Sequence, residues 1–203
     1  MTVAAPDLHR VNLQMPRHVQ LDEDLLFAIC QANREYRIER NAKGDIEIMP
    51  PTGAETGRRN SDIAVDLGSW ARLDGRGVAF DSSTGFILPN GAMRSPDASW
   101  VLRERLAELT PTQKQRFLPL APDLVIELAS PSDDISDLQA KMQEYRENGV
   151  QLGWLILPEQ RRVWVYRRDS VDPECLDDPS VLGDEALLPG FGLDLQRIWT
   201  PAL

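Results

Sequence analysis

Residues 95–101 read SPDASWV, and residues 122–145 read PDLVIELASPSDDISDLQAKMQEY. Each holds one acid in a strand-like apolar run, Asp97 in the first and Glu127 in the second. A lone carboxylate there is costly, because an unpaired charge taken out of water either loses its solvation or is driven to neutrality. Two in one chain imply a positive group between them, and a divalent metal is the simplest. Along Leu124–Ala129, alternation places Ile126 and Leu128 on one face and Val125, Glu127 and Ala129 on the other. Asp97 and Ser99 likewise share a face that Trp100 opposes. If the two strands pair, both acids project from one side of a sheet. The competing reading is that each acid pairs with an arginine or caps a turn. Without an ion, like charges so placed repel, so Asp97→Asn is expected to stabilise the metal-free protein.

Downstream of Glu127, the loop Ser130–Asp134 can supply an N-cap for a helix reaching Asn148, with Gly149 just past its end. Leu138, Met142 and Tyr145 mark its packed stripe. Lys141 and Tyr145 lie four apart, on neighbouring turns.

Upstream, residues 1–20 show no periodicity and read as an irregular N-terminal segment ahead of one domain over 21–203. Acids at 22–24 open a short amphipathic helix. Tyr36–Glu39 and Asp45–Ile48 alternate polar and apolar residues around Asn41–Gly44, a hairpin pattern. A helix follows from about Ala54 to Leu73, with Ile63, Leu67, Trp70 and Ala71 on its inward face. Between the two acids, residues 103–122 carry Arg103, Arg105, Lys114 and Arg116. They are a candidate substrate-facing flap, or simply a solvated face. After the Lys141 helix, Leu152–Leu157 reads as a buried strand. Val163–Arg167 reads as an alternating strand at a sheet edge, where unpaired backbone invites a homodimer. Arginines at 161, 162, 167 and 168 would oppose such pairing.

Charge and composition narrow the chemistry. The net charge of −10 argues against a tight nucleic-acid binder, whose phosphate contacts need Lys and Arg. From Asp169 onward there are eight acids and one base, Arg197, so the rest of the chain carries only −3, and a small nucleic-acid footprint stays open. Cys30, Cys175, His9 and His18 are the only thiols and imidazoles. They make neither a zinc site nor a well-placed base for a nucleophilic triad. Hydrolysis, if any, must run on carboxylates, lysine and metal. No apolar run of about 18 residues appears, so no membrane span is expected. The first residues lack the apolar core of a secretory signal, so the cytoplasm is the expected location.

SPDASWV, PDLVIELASPSD and LQAKMQEYRENGVQLGWLILP, together with PPTGAETGRRN, FDSSTGFILPNGAMRSPDASW and LPGFGLDLQRIW, resemble the Uma-type endonuclease-like family of the PD-(D/E)XK restriction-endonuclease-like superfamily. The resemblance runs from about Met49 to Trp199. It implies an α/β fold with a central mixed β-sheet flanked by helices, the Ala54 helix on one side and the Lys141 helix near the other. It further implies Mg²⁺-dependent (or Mn²⁺-dependent) hydrolysis of a nucleic-acid phosphodiester, DNA before RNA. Asp97, Glu127 and the backbone carbonyl of Leu128 would be the metal ligands, and Asp97, Glu127 and Lys141 the catalytic set. Glu55, Asn60 and Tyr145 would stand behind them, although Glu55 can equally pair with Arg59 on a solvated face. One departure from the superfamily pattern is Ala129, where a lysine is expected two residues after the second acid. The family commonly carries that lysine on the following helix, where Lys141 stands. Two other functions compete. The acidity favours a nuclease-like fold used for binding or assembly without turnover. A hydrolase of small phosphate esters would suit the low basic content, but no Gly-rich phosphate loop is present.

Overall fold

The computed structural model describes residues 11–16, 18, 19 and 21–203. Residues 1–10, 17 and 20, most of the segment expected to be irregular, lie outside the described residues. Within the rest of it, Val11–Leu13 forms a strand, β1. Helix α1 (Glu23–Ala32) starts where the Asp22 carboxylate accepts the Leu25 N–H at 2.8 Å, satisfying a donor that the helix itself cannot. The hairpin of β2 (Arg37–Arg40) and β3 (Ile46–Met49) turns through Gly44, whose φ of +90° suits glycine. The Asn41 side chain accepts from the N–H groups of Lys43 and Asp45 in that turn.

Helix α2 (Ala54–Asp74) ends at Gly75 in the left-handed conformation. Strand β4 (Gly77–Asp81) follows, then the short β5 (Phe86–Ile87) and β6 (Met93–Arg94), and then β7 (Ala98–Leu102). After the five-residue α3 (Arg103–Ala107) come β8 (Leu124–Leu128), α4 (Ile135–Glu147), β9 (Leu152–Leu157) and β10 (Arg162–Arg167). The acidic end of the chain is ordered into β11 (Glu174–Asp177), the hairpin of β12 (Val181–Asp184) and β13 (Leu188–Asp194), and α5 (Gln196–Trp199).

Apart from the two-stranded β12–β13 hairpin, two sheets organise these strands. The smaller has the order β1-β3-β2-β6-β5, and the larger β11-β10-β9-β8-β7-β4. In the larger sheet β8 and β9 are parallel and the other neighbours antiparallel. The chain passes from β6 in one sheet to β7 in the other through only Ser95, Pro96 and Asp97, so Asp97 sits at the junction of the two sheets. That closeness matters for the site.

The large sheet buries both faces, as the unbroken burial of β8 shows. On one face Ile63, Leu67 and Ala71 of α2 pack with Trp100, Leu124, Ile126 and Trp154. On the other, Leu138, Met142 and Tyr145 of α4 pack with Val125 and Leu155. The alternation along β8 thus sorts its side chains between two helices, which are placed as the sequence implies. Gly77 allows the Trp100 ring to lie against β4; a Cβ there would run into the indole. The small sheet is covered by α1, whose fully buried Leu26 meets Ile38, Ile46, Ile87 and Met93.

One expectation is corrected. Strand β10 is not an edge. β11, drawn from the acidic end of the chain, pairs along it, and Arg162 meets Asp177 at 3.0 Å. Opposite charges across the pairing add modestly to the backbone ladder. The outer strands of this sheet are β4 and β11, so β10 offers no free backbone for a second copy. The basic stretch at 103–116 is also less free than its composition suggests. Arg103 donates to Gly75 O, Arg105 to Asp123 and Arg116 to Asp24.

Candidate active site

Antiparallel pairing of β7 with β8 sets Ala98 opposite Ile126 and Ser99 opposite Val125. Continuing that register by one residue sets Asp97 opposite Glu127. Glu127 lies on the α4 face with Val125, and Asp97 reaches the same end of β8, where its Oδ2 accepts the Leu128 N–H at 2.8 Å. Both acids are buried.

Each acid has its own cation. Arg37 from β2 donates to Asp97 Oδ1 at 2.8 Å, so the arginine pairing that competed with the metal reading is real for this residue. Lys141 Nζ from α4 stands 2.8 Å from Glu127 Oε1, and the Tyr145 hydroxyl donates to that same oxygen at 2.9 Å. Lys141 and Tyr145 reach one atom because residues four apart share a helix face. The structure therefore brings together Asp97, Glu127, Leu128, Lys141 and Tyr145.

It does not bring Glu55 and Asn60 to them. Both lie on α2, across the sheet from Glu127. Glu55 is exposed and pairs with Arg59 at 3.3 Å, the plainer of the two arrangements open to it. Asn60 keeps its Oδ1 buried without a partner among the described residues.

Three charged residues that the sequence reading passed over complete the cluster. Glu39 of β2 is fully buried, with Lys141 Nζ at 3.0 Å, the Ser95 N–H at 3.0 Å and Arg94 Nη1 at 3.1 Å. Arg94 in turn meets Glu47 and Glu144, each at 2.6 Å. Arg37 bridges the layers, donating also to Ser95 O and lying 3.5 Å from Glu39. The signal for Arg94 was available: a guanidinium between Met93 and Ser95-Pro96 in a buried run begs for acids as surely as Glu127 begs for cations.

The electrostatics follow from this packing. Burial pushes the Glu127 carboxyl above its ordinary range, and Asp97 and Glu39 add to the push, against Lys141 and Arg37. Burial would raise Glu39 as well, but Lys141, Arg37, Arg94 and the Ser95 N–H outweigh it and hold that carboxyl well below the usual range. Tyr145 is raised by burial and by the nearby Glu127 and Glu39, so it stays a proton donor to Glu127.

A Mg²⁺ ion wants hard oxygen ligands and is commonly held by one or two carboxylates, with water and substrate phosphate completing its shell. Glu127 fits, because the Tyr145 hydroxyl and the Lys141 ammonium both meet Oε1, and no described residue donates to Oε2. Asp97 has one donor on each oxygen and a lone pair left on each. Since Ala129 N–H bonds Ile156 O on β9, the main chain at Leu128 faces the opposite way, toward Asp97, and its carbonyl shares that side. No group of three or more Asp, Glu, His or Cys is arranged for a metal among the described residues. The protein thus offers two carboxylates and a main-chain oxygen, a set that suits Mg²⁺ or Mn²⁺ and not zinc.

A mixed sheet with α2 and α4 on opposite faces, carrying facing acids at one end of its central strands, defines an α/β protein of the restriction-endonuclease-like class. The family model described as "Uma2: Putative restriction endonuclease" matches residues 22–196, and the chain belongs to that family. A crystal structure described as a "putative nuclease belonging to DUF820" from Anabaena variabilis has the same fold, with a TM-score of 0.67 and 21% identity over 80% of this chain and 89% of that one. No curated protein matches the chain. No helix among the described residues is long and apolar enough to cross a membrane.

Proposed function

We propose that the protein is a metal-dependent nuclease of the cytoplasm that hydrolyses a phosphodiester in DNA. The observation that carries this reading is the convergence of Asp97, Glu127 and Lys141 at one end of the central strands, with Glu127 Oε2 left open. Asp97, Glu127 and the Leu128 carbonyl would hold Mg²⁺ or Mn²⁺. Such an ion polarises a phosphoryl oxygen and acidifies a water. The protein's own groups do the rest. Lys141 brings a fixed ammonium toward the charge that gathers on the pentacoordinate phosphate, where a preorganised cation acts at full strength in a water-poor site. Tyr145 holds Glu127 from behind. Arg37, the least buried of the three cations, would be the first of them to meet an incoming phosphate.

Calorimetric titration with Mg²⁺ and Mn²⁺ beside a nicking assay on supercoiled DNA tests this directly. Metal binding with metal-dependent nicking is the expected result, and failure to bind either ion overturns the reading. A second reading draws on the Arg37–Asp97 pair and the net charge of −10. In it the cluster is a neutralised structural core, and the fold serves binding or assembly. Metal binding without nicking would favour that alternative.

A further inference from the structure

Glu39 touches neither Asp97 nor Glu127, yet it contacts the cation on each. Its Oε1 lies 3.0 Å from Lys141 Nζ and 3.5 Å from Arg37 Nη2. Those two groups lie 2.8 Å from Glu127 Oε1 and 2.8 Å from Asp97 Oδ1. One buried anion is therefore shared by the counter-cations of both proposed metal ligands. It is also fixed in place. The Ser95 N–H and Arg94 hold it, and Glu47 and Glu144 anchor Arg94 from behind. Arg37 and Glu39 are two apart on β2, and alternation turns both toward the junction between the sheets.

We propose that Glu39 is a positioning residue that draws Lys141 and Arg37 off Glu127 and Asp97, so that those carboxylates can take a divalent cation. The inference rests on the metal reading above. An ammonium and a metal ion on one carboxylate repel each other and compete for its charge. Lys141 is poised almost equally between Glu127 and Glu39, and its flexible stem lets it lean toward Glu39 without moving α4. With a neutral side chain at 39, Glu127 would be the only carboxylate left to the ammonium, and the metal would have to displace it. A Glu39 that merely holds the sheets together would have no such link to Lys141.

The test is calorimetric titration of the full chain with Mn²⁺, with thermal unfolding to confirm that each variant is folded. Glu39→Gln should weaken Mn²⁺ by about tenfold or more, the usual scale for residues behind a metal site. Lys141→Met should tighten it several-fold, because the competitor is gone. Adding Lys141→Met to Glu39→Gln should recover most of the loss. A double variant no better than Glu39→Gln, or a folded Glu39→Gln with unchanged affinity, overturns the proposal and leaves the metal reading standing. Should Glu39→Gln fail to fold, Lys141→Met decides alone: tighter Mn²⁺ supports the proposal, and unchanged or weaker Mn²⁺ overturns it. A wild-type protein that binds no Mn²⁺ overturns both readings together.

Discussion

Lys141 and Tyr145, one helical turn apart on α4, meet the same oxygen of Glu127, at 2.8 and 2.9 Å. This crowds both groups onto Oε1 and leaves Oε2 without a donor among the described residues. One helix face thus brings both an ammonium and a hydroxyl to Glu127.

Removing that hydroxyl has a measurable consequence. Tyr145→Phe keeps the ring in its fully buried slot and deletes one hydrogen bond to a charged group, worth about 1.5–3 kcal/mol. Urea unfolding should show a loss in that range, with Lys141 still beside Glu127 and most DNA cleavage kept. Loss of cleavage as complete as that caused by removing Lys141 would mean that Tyr145 acts on the substrate itself.

The stability effect expected of Asp97→Asn in the folded structure is opposite to what like-charge repulsion alone suggests. Asp97 is not facing Glu127 uncompensated, because Arg37 and the Leu128 N–H already hold it. Asp97→Asn leaves Arg37 short of its closest anion in a mostly buried place. Removing one partner of a fully buried pair costs about 3–5 kcal/mol. Since the Arg37 side chain is 27% exposed, about 1–3 kcal/mol is expected here after discounting for solvent screening. A rise in the urea midpoint of metal-free Asp97→Asn would show that repulsion from Glu127 outweighs the Arg37 contact.

How much of this was legible in the sequence depends on which elements carried a one-sided signal. The run Leu124–Leu128 is apolar apart from Glu127, so the odd residue stands out and its alternation assigns the face. Lys141 was found from its place after that strand and from the family resemblance. Arg37 and Glu39 were missed because Tyr36-Arg37-Ile38-Glu39 alternates like a half-solvated strand. Its polar face is instead closed by the sheet junction and by α4, and only tertiary packing reveals that. Glu55 and Asn60 enter only through the family resemblance. Helical periodicity gives the inward face but not which face of the sheet the helix covers. Strand β10 read as an edge because nothing in the acidic end of the chain announced that Glu174–Asp177 would pair with it.

Acid should unfold the protein in a way that separates the two buried glutamates. Glu39 is depressed in the folded state, so its stabilisation is fully present above the unfolded value of about 4.3 and fades as pH falls below it. Glu127 is raised, so it takes up its proton more readily when folded, and its contribution is lost as pH rises from about 4.3 through its folded value. Urea midpoints between pH 7 and 3 should therefore fall less steeply in Glu39→Gln than in wild type, and more steeply in Glu127→Gln. Identical slopes in the two variants would contradict the assignment.

The sharpest expectation concerns the place where the lysine is absent. Ala129 follows β8 on the side of the strand that carries Glu127, half-buried, with its N–H bonded to Ile156 O on the neighbouring strand. Its main chain is therefore fixed, and its small side chain leaves room toward the acids. In the proposed function Lys141 takes the corresponding role from α4, where its ammonium lies 2.8 Å from Glu127. Lys141→Ala should cost on the order of a hundredfold in DNA cleavage, the scale for losing one preorganised charge-stabilising group, while Mn²⁺ binding is not lost but tightens, as for Lys141→Met. Adding Ala129→Lys to that variant returns a charge to nearly the same point by another route, and the space emptied by Lys141 relieves the overpacking that a new side chain normally brings. Partial recovery of cleavage in the double variant is the expected outcome. Undiminished cleavage in Lys141→Ala alone would show that this buried lysine serves only to neutralise Glu39 and Glu127.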